Sequence, residues 1–436
     1  MRRKLFALAA ATLIAASLPV ATADAQPRQE GRRPVVFVHG FAGSGQQFQT
    51  QAKRLASNGY AAELIEAHEY DSTFTVETTE QVFARLDARI ARLLAETGAD
   101  GVDLLAHSLG TTLSHAYLAN PARAATVAHY VNLDGRTGTA PPGGVPTLAV
   151  WGEGSVERTI VGATNVYFSG QSHTQVVTSP ETFVEIYRFF TGETPRTTGI
   201  VPQPRGHTTL AGRAVLFPTN VGVPNARLEV YEVGRLTGAR LHRRPAAVFE
   251  ISGDGSWGPF RASGSARYEF ALLRDGVATH HFYFQPLLRT DHLVRLLAGV
   301  PGQGLGALVE TSDQHAALTI SRNKEWWGDQ GDGNDALWVN GVDILNAANS
   351  PRVKRFIGIF AFDRNVDQTT DLTAPIPAFF SQPFITGMDV FIPAAPRNLG
   401  ITFVVARSRT GGLDVVNVPA WPSSDHRISI QINDFD

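Results

Sequence analysis

The chain has 436 residues, 43% apolar and 18% charged, with a formal net charge of −2. Its length exceeds one average domain and predicts two, and its near-neutral charge argues against nucleic acid as a main partner. The absence of cysteine excludes disulfides, thiol nucleophiles, thiolate metal sites and iron–sulfur clusters.

The first 25 residues read as an export signal. "MRRK" is a basic start, a short Ala-rich apolar run follows, and "ADA" before Gln26 is a small-x-small cleavage site. The expected location of the mature protein is therefore secreted or periplasmic. No later segment is apolar over membrane length.

Residues 26–195 alternate strand-like and helical patterns. "PVVFVHG" (34–40), "AAELIEA" (61–67), "GVDLLAHS" (101–108), "VAHYVNLDG" (127–135), "PTLAVWGEG" (146–154) and "NVYFSGQSH" (165–173) predict strands. The segments at 46–59, 76–98 and 108–121 predict helices, with Leu86, Ile90, Leu93 and Leu94 on one face. "SPETFVEIYRFF" (179–190) opens with a capping Ser and a Pro at the first helical position. This alternation predicts an α/β, doubly wound, mostly parallel sheet.

A Pro/Gly/Thr-rich stretch at 196–207 reads as a linker. From 208 to 436 helical patterns nearly vanish, and short strand-like runs such as "RLEVYEV", "ARYEFALL", "HHFYFQPL" and "RISIQIN" predict an all-β antiparallel sandwich or barrel, with a further division into lobes near 290–315.

In an open parallel sheet, ligands sit beyond the carboxyl ends of the strands, and four such ends carry chemistry. Ser108 lies in "AHSLG" between a strand and a helix, the context of the nucleophile elbow, with Ala106 in place of the usual first Gly. The alternative role for Ser108 is a plain helix N-cap, and His107 reads as a wall residue. "VHGFAGSG" (38–45) follows the first strand, lacks the Lys of a phosphate-binding loop, and supplies the Phe41 amide as an oxyanion donor beside that of Leu109. His173, after the last strand, is the candidate base. The orienting acid is either Asp134 in "NLDG" or Glu153 in "WGEG"; the latter strand is the more usual source in this fold.

Motifs spread over the whole length add a resemblance. "HEYD" (68–71), "TGADGVDL" (97–104), "VAHYVNLDG" (127–135), "VPTLAVWG" (145–152), "ATNVYFSGQSHTQVVTSPETF" (163–183) and "SRTGGLDVVNVPAW" (408–421) are similar to segments of secreted α/β-hydrolase lipases, and the chain resembles archaeal lipases with a C-terminal β-barrel lipid-binding domain. The resemblance implies carboxylic ester hydrolysis through a Ser108-Asp134-His173 triad, with Asp134 rather than Glu153 as the acid and Phe41 and Leu109 as oxyanion donors. Only "STFTVETTEQVF" (72–83) stands where those lipases carry a longer helical lid, which implies a more open site.

No cofactor motif is present. The Asp-rich segments 328–338 and 363–371 lack the spacing of a known calcium loop and read as turns. The expected partner is an ester with an acyl chain, lipid or polyester, with the aromatics of the C-terminal region either packing a core or offering a lipid or polymer surface. A polyester depolymerase with the same triad, and an inactive adhesin or lipid-binding protein, are the competing functions.

Overall fold

A computed structural model describes residues 32–154, 156–204, 206–395 and 400–435; the export signal expected at 1–25 lies outside the described residues. Six strands follow the apolar runs: Val35–Val38 (β1), Ile65–His68 (β2), Val102–His107 (β3), Val127–Leu133 (β4), Thr147–Trp151 (β5) and Thr164–Tyr167 (β6). They pair in the order β2-β1-β3-β4-β5-β6, and every pairing is parallel. β1, β3 and β5 are buried at every position because helices cover both faces.

Alternate residues divide between those faces. Val35, Phe37 and Leu105 pack with Leu55 of Gln49–Ser57 (α1) and with Phe183, Ile186 and Phe190 of Pro180–Thr191 (α4). Val36, Val38 and Leu104 pack with Val82, Leu86 and Ile90 of Thr79–Thr97 (α2) and with Leu113 and Tyr117 of Leu109–Leu118 (α3). The helix ends follow local chemistry. Thr78 and Gln81 form a capping box on α2, Ser179 caps α4 with Pro180 in its first turn, and Gly98 and Gly192 end the two helices in the left-handed region.

Past residue 207 the chain is strand-rich, but its sheets stay open, and no closed barrel forms among the described residues. One eight-stranded sheet runs in the order 247–250, 226–233, 267–274, 279–284, 426–432, 318–322, 358–362, 385–389. The expectation of an antiparallel arrangement is corrected at three of its junctions. The last strand, His426–Ile432, inserts parallel to both Thr279–Phe284 and Leu318–Arg322, and Gly358–Phe362 runs parallel to Ile385–Asp389. A period-two pattern signals a strand and a buried face without stating its direction.

Two smaller sheets back the large one. The sheet of 256–262, 208–216 and 291–298 encloses a core with Leu210, Leu228, Trp257, Phe270 and Val294. Strands 336–339 and 404–407 enclose another with Ile320, Trp326, Leu337, Ile359 and Ile430. Many aromatics of the C-terminal region are core: Phe282 and Phe284 lie in the first of these cores, Tyr283, Trp326 and Phe356 in the second, and Phe362 and Phe379 in a smaller cluster with Ile376. The Asp-rich segments are occupied as turns and ion pairs. Asp335 is held by Arg322 and Arg409, while Asp363 and Asp371 accept from Gln368 and Thr373 backbone amides.

Candidate active site

The chain runs from β1 outward to β2, then crosses back over β1 to β3, so the strand order reverses between β1 and β3. Crevices form at such reversals, and the loops leaving these two strands carry Phe41 and Ser108. Ser108 has φ 51° and ψ −121°, a region that non-glycine residues rarely occupy, and its side chain caps nothing on α3. Both facts oppose a simple N-cap role, which calls for extended backbone and a side-chain bond to the first turn. The elbow is tight. A Cβ at residue 110 would lie 2.4 Å from the Val38 carbonyl oxygen and 2.5 Å from that of His39, which is why glycine stands there. The fully buried Ala106 provides the small residue on the other side.

Asp134 and His173 meet at the same rim. Asp134 directly follows β4, with φ 42°, and is 5% exposed. Its Oδ2 is 2.5 Å from His173 Nδ1, while Oδ1 accepts from the Gly152 amide at 3.0 Å and from Arg158 Nη1 at 2.7 Å. Burial alone would raise the pKa of this carboxyl, but the bond to His173, the Gly152 amide and Arg158 outweigh it and hold the group down at about 2. An ionised carboxylate can only accept, so the proton of a neutral imidazole sits on Nδ1 and Nε2 is left as the basic nitrogen. Among the described residues no hydrogen bond joins Ser108 Oγ to His173; such bonds are often long before substrate binds.

Glu153, the alternative acid, is committed elsewhere. Arg352 reaches it at 2.8 Å and Arg355 at 2.9 Å. His107 is a wall of the site. Its ring lies 4.5 Å from that of His173, its Nε2 donates to the His173 carbonyl at 2.9 Å, and its Nδ1 accepts from Gln47 at 2.8 Å. Burial, reinforced by the adjacent His173, pushes its pKa down to about 3, so it stays neutral and holds His173 in place.

The loop after β1 lies against the elbow: a Cβ at residue 40 would come within 3.0 Å of Ser108 Cβ. Among the described residues the amides of Phe41 and Leu109 have no hydrogen-bond acceptor and are free to donate. The loop is held from several sides. Tyr70 Oη donates to the His39 carbonyl at 2.7 Å, the Ala42 amide donates to Ser72 Oγ at 2.9 Å, and Asn220 Nδ2 donates to the Gly43 carbonyl at 2.8 Å. Residues 72–78 form a turn around Asp71, which accepts from the Thr73, Thr75 and Val76 amides, and α2 follows directly. Phe41, Phe74 and Val76 are exposed on these two linked loops.

Beside Ser108 is a cleft of about 560 Å³ lined by Leu109, Thr112, Asp134, Gly135, Arg136, Thr137 and Arg158. Sequence reasoning missed both arginines. Arg158 lies in an irregular loop with no periodicity, and its bond to Asp134 spans 24 positions. Arg136 is exposed, and its side chain has no hydrogen bond or ion pair among the described residues.

Residues 33–169 match a model described as the alpha/beta hydrolase fold, residues 206–301 match a lipase C-terminal domain, and residues 304–436 match a further C-terminal domain model. Among solved structures, lipase B of Aspergillus fumigatus is similar at 16% identity and a TM-score of 0.31, covering 39% of this chain and 55% of its own. The Bacillus licheniformis lipase BlEst2 in its propeptide form aligns over 89% of this chain and 93% of its own at 10% identity and a TM-score of 0.30. Phospholipase PlaB of Legionella pneumophila aligns over 92% and 93% at 9% identity and a TM-score of 0.22.

The chain carries a domain of the α/β-hydrolase fold, matched over residues 33–169 and built on the six-stranded parallel sheet. More narrowly, the region after that domain is similar to lipases, residues 206–301 matching a lipase C-terminal domain.

Proposed function

We propose that this hydrolase is an exported serine carboxylesterase. His173 Nε2 takes the Ser108 proton, and Oγ attacks the ester carbonyl carbon. The carbonyl oxygen becomes an oxyanion held by the Phe41 and Leu109 amides. The C–O bond to the alcohol then breaks, the alcohol leaves with the proton from His173, and water activated by the same imidazole releases the acid and regenerates Ser108. The observation that carries this reading is the 2.5 Å pairing of His173 Nδ1 with Asp134 at the rim that bears a strained, uncapping Ser108.

The cleft beside Ser108 favours small, polar esters. Long acyl chains need a mostly apolar lining, whereas here Leu109 is the one large apolar side chain among two threonines and two guanidiniums. The exposed Phe41, Phe74 and Val76 offer a short apolar lip for a modest chain. In a series of p-nitrophenyl esters, kcat/KM is expected to peak at short acyl lengths, and a rise through to the palmitate would overturn that preference. A fluorophosphonate should label Ser108; an unlabelled, inactive protein would favour a binding role instead. Export completes the proposal: N-terminal sequencing of protein collected outside the cytoplasm should begin at Gln26, and an intact Met1 would refute cleavage.

A further inference from the structure

The loop that carries His173 is gripped from the C-terminal region. Glu325, fully buried just after strand Leu318–Arg322, accepts from Ser172 Oγ with Oε2 and from the Thr174 amide with Oε1 at 2.7 Å. One carboxylate therefore holds the residues on both sides of His173. Arg409 reinforces the grip: its Nη2 donates to Ser172 Oγ at 3.2 Å and to Gln175 Oε1 at 2.7 Å, and its Nη1 donates to the Glu325 carbonyl at 2.6 Å. Asp335 fixes Arg409 in turn at 2.8 Å. Burying a carboxylate is costly unless its oxygens are bonded, and Glu325 is bonded through the His173 loop itself. The bonds to the His173 loop join positions 151 to 237 apart in the chain.

We infer that Glu325, locked by Arg409, is a positioning residue for the general base, and that the C-terminal region is thereby a structural part of the active site rather than a detachable accessory. Glu325 touches no reacting atom. Its bonds to Ser172 and Thr174 set the backbone of residue 173 so that the imidazole meets Asp134 at the rim that bears Ser108. The inference rests on the serine-esterase reading above.

The test uses the full mature chain, with active serines counted by fluorophosphonate titration and kcat and KM for p-nitrophenyl butyrate expressed per titrated site. Glu325→Ala is expected to lower kcat by about tenfold or more with KM changed by less than about twofold, since small misplacements of a catalytic group cost rate rather than binding. Glu325→Gln retains an acceptor for Thr174 and a polar partner for Ser172, and should restore kcat to within about threefold of wild type. A role confined to stability would lower the melting temperature and leave kcat per titrated site unchanged; that result overturns the inference, as does an equal loss in both variants. If Glu325→Ala does not fold, Ser172→Ala, which removes only the hydroxyl shared by Glu325 and Arg409, replaces it. A severalfold drop in its kcat supports the positioning role, and an unchanged kcat refutes it. Failure of the esterase reading is distinct, because wild type itself would then neither turn over ester nor label.

Discussion

Ser108→Ala is expected to abolish ester hydrolysis while leaving the fold intact, a loss on the order of a millionfold in kcat. The hydroxyl is the proposed nucleophile, and the variant has no other group at the elbow to replace it. Removing it should cost little stability. Ser108 Oγ caps nothing, and among the described residues it bonds to nothing, so its loss orphans no partner. Alanine also meets the same φ 51° backbone that serine already tolerates. The unfolding free energy should stay within about 0.5 kcal/mol of wild type. Hydrolysis of p-nitrophenyl butyrate and thermal unfolding, measured on the same preparation, decide the matter. Turnover at the wild-type rate would remove Ser108 from the mechanism.

Asp134→Asn should lower kcat by about four orders of magnitude, whereas Glu153→Gln should leave it within a fewfold. The asymmetry follows from the partners. Asp134 accepts from His173 Nδ1; an asparagine there can turn its amide toward the ring and favour the wrong tautomer, and it also leaves Arg158 without its charge partner. Glu153 serves Arg352 and Arg355 instead. Comparable losses in the two variants would mean that the acid is misassigned. A stability measurement against pH adds a second check. A carboxyl held down at about 2 contributes stability that is complete above the ordinary carboxylate range near 4 and is lost as pH falls towards 2. Wild type should therefore lose stability more steeply than Asp134→Asn across that acid window.

Much of the hydrolase fold was legible because its information is local. The buried runs "VVFV" and "VDLLAH" announce central parallel strands, and "AHSLG" places small residues where a strand and a helix must nearly touch. The limits were also physical. Asp134 and Glu153 follow neighbouring strands of one sheet and look alike as residues; the residues alone left them open, and the resemblance pointed to Asp134. In the fold Glu153 is drawn to Arg352, 199 positions away, while Asp134 faces His173.

By itself, then, the sequence determined the alternation of strands and helices, the corner bearing Ser108, and the strand-rich second half, because each is written in side-chain periodicity and turn chemistry within about 20 residues. Tertiary structure alone decided the direction of the C-terminal strands, the open rather than closed sheets, the capture of Asp134 by Arg158, and the grip of Glu325 and Arg409 on the His173 loop. These depend on pairings between chain segments up to hundreds of residues apart, and no local pattern encodes which distant partner a strand edge or a buried charge will meet.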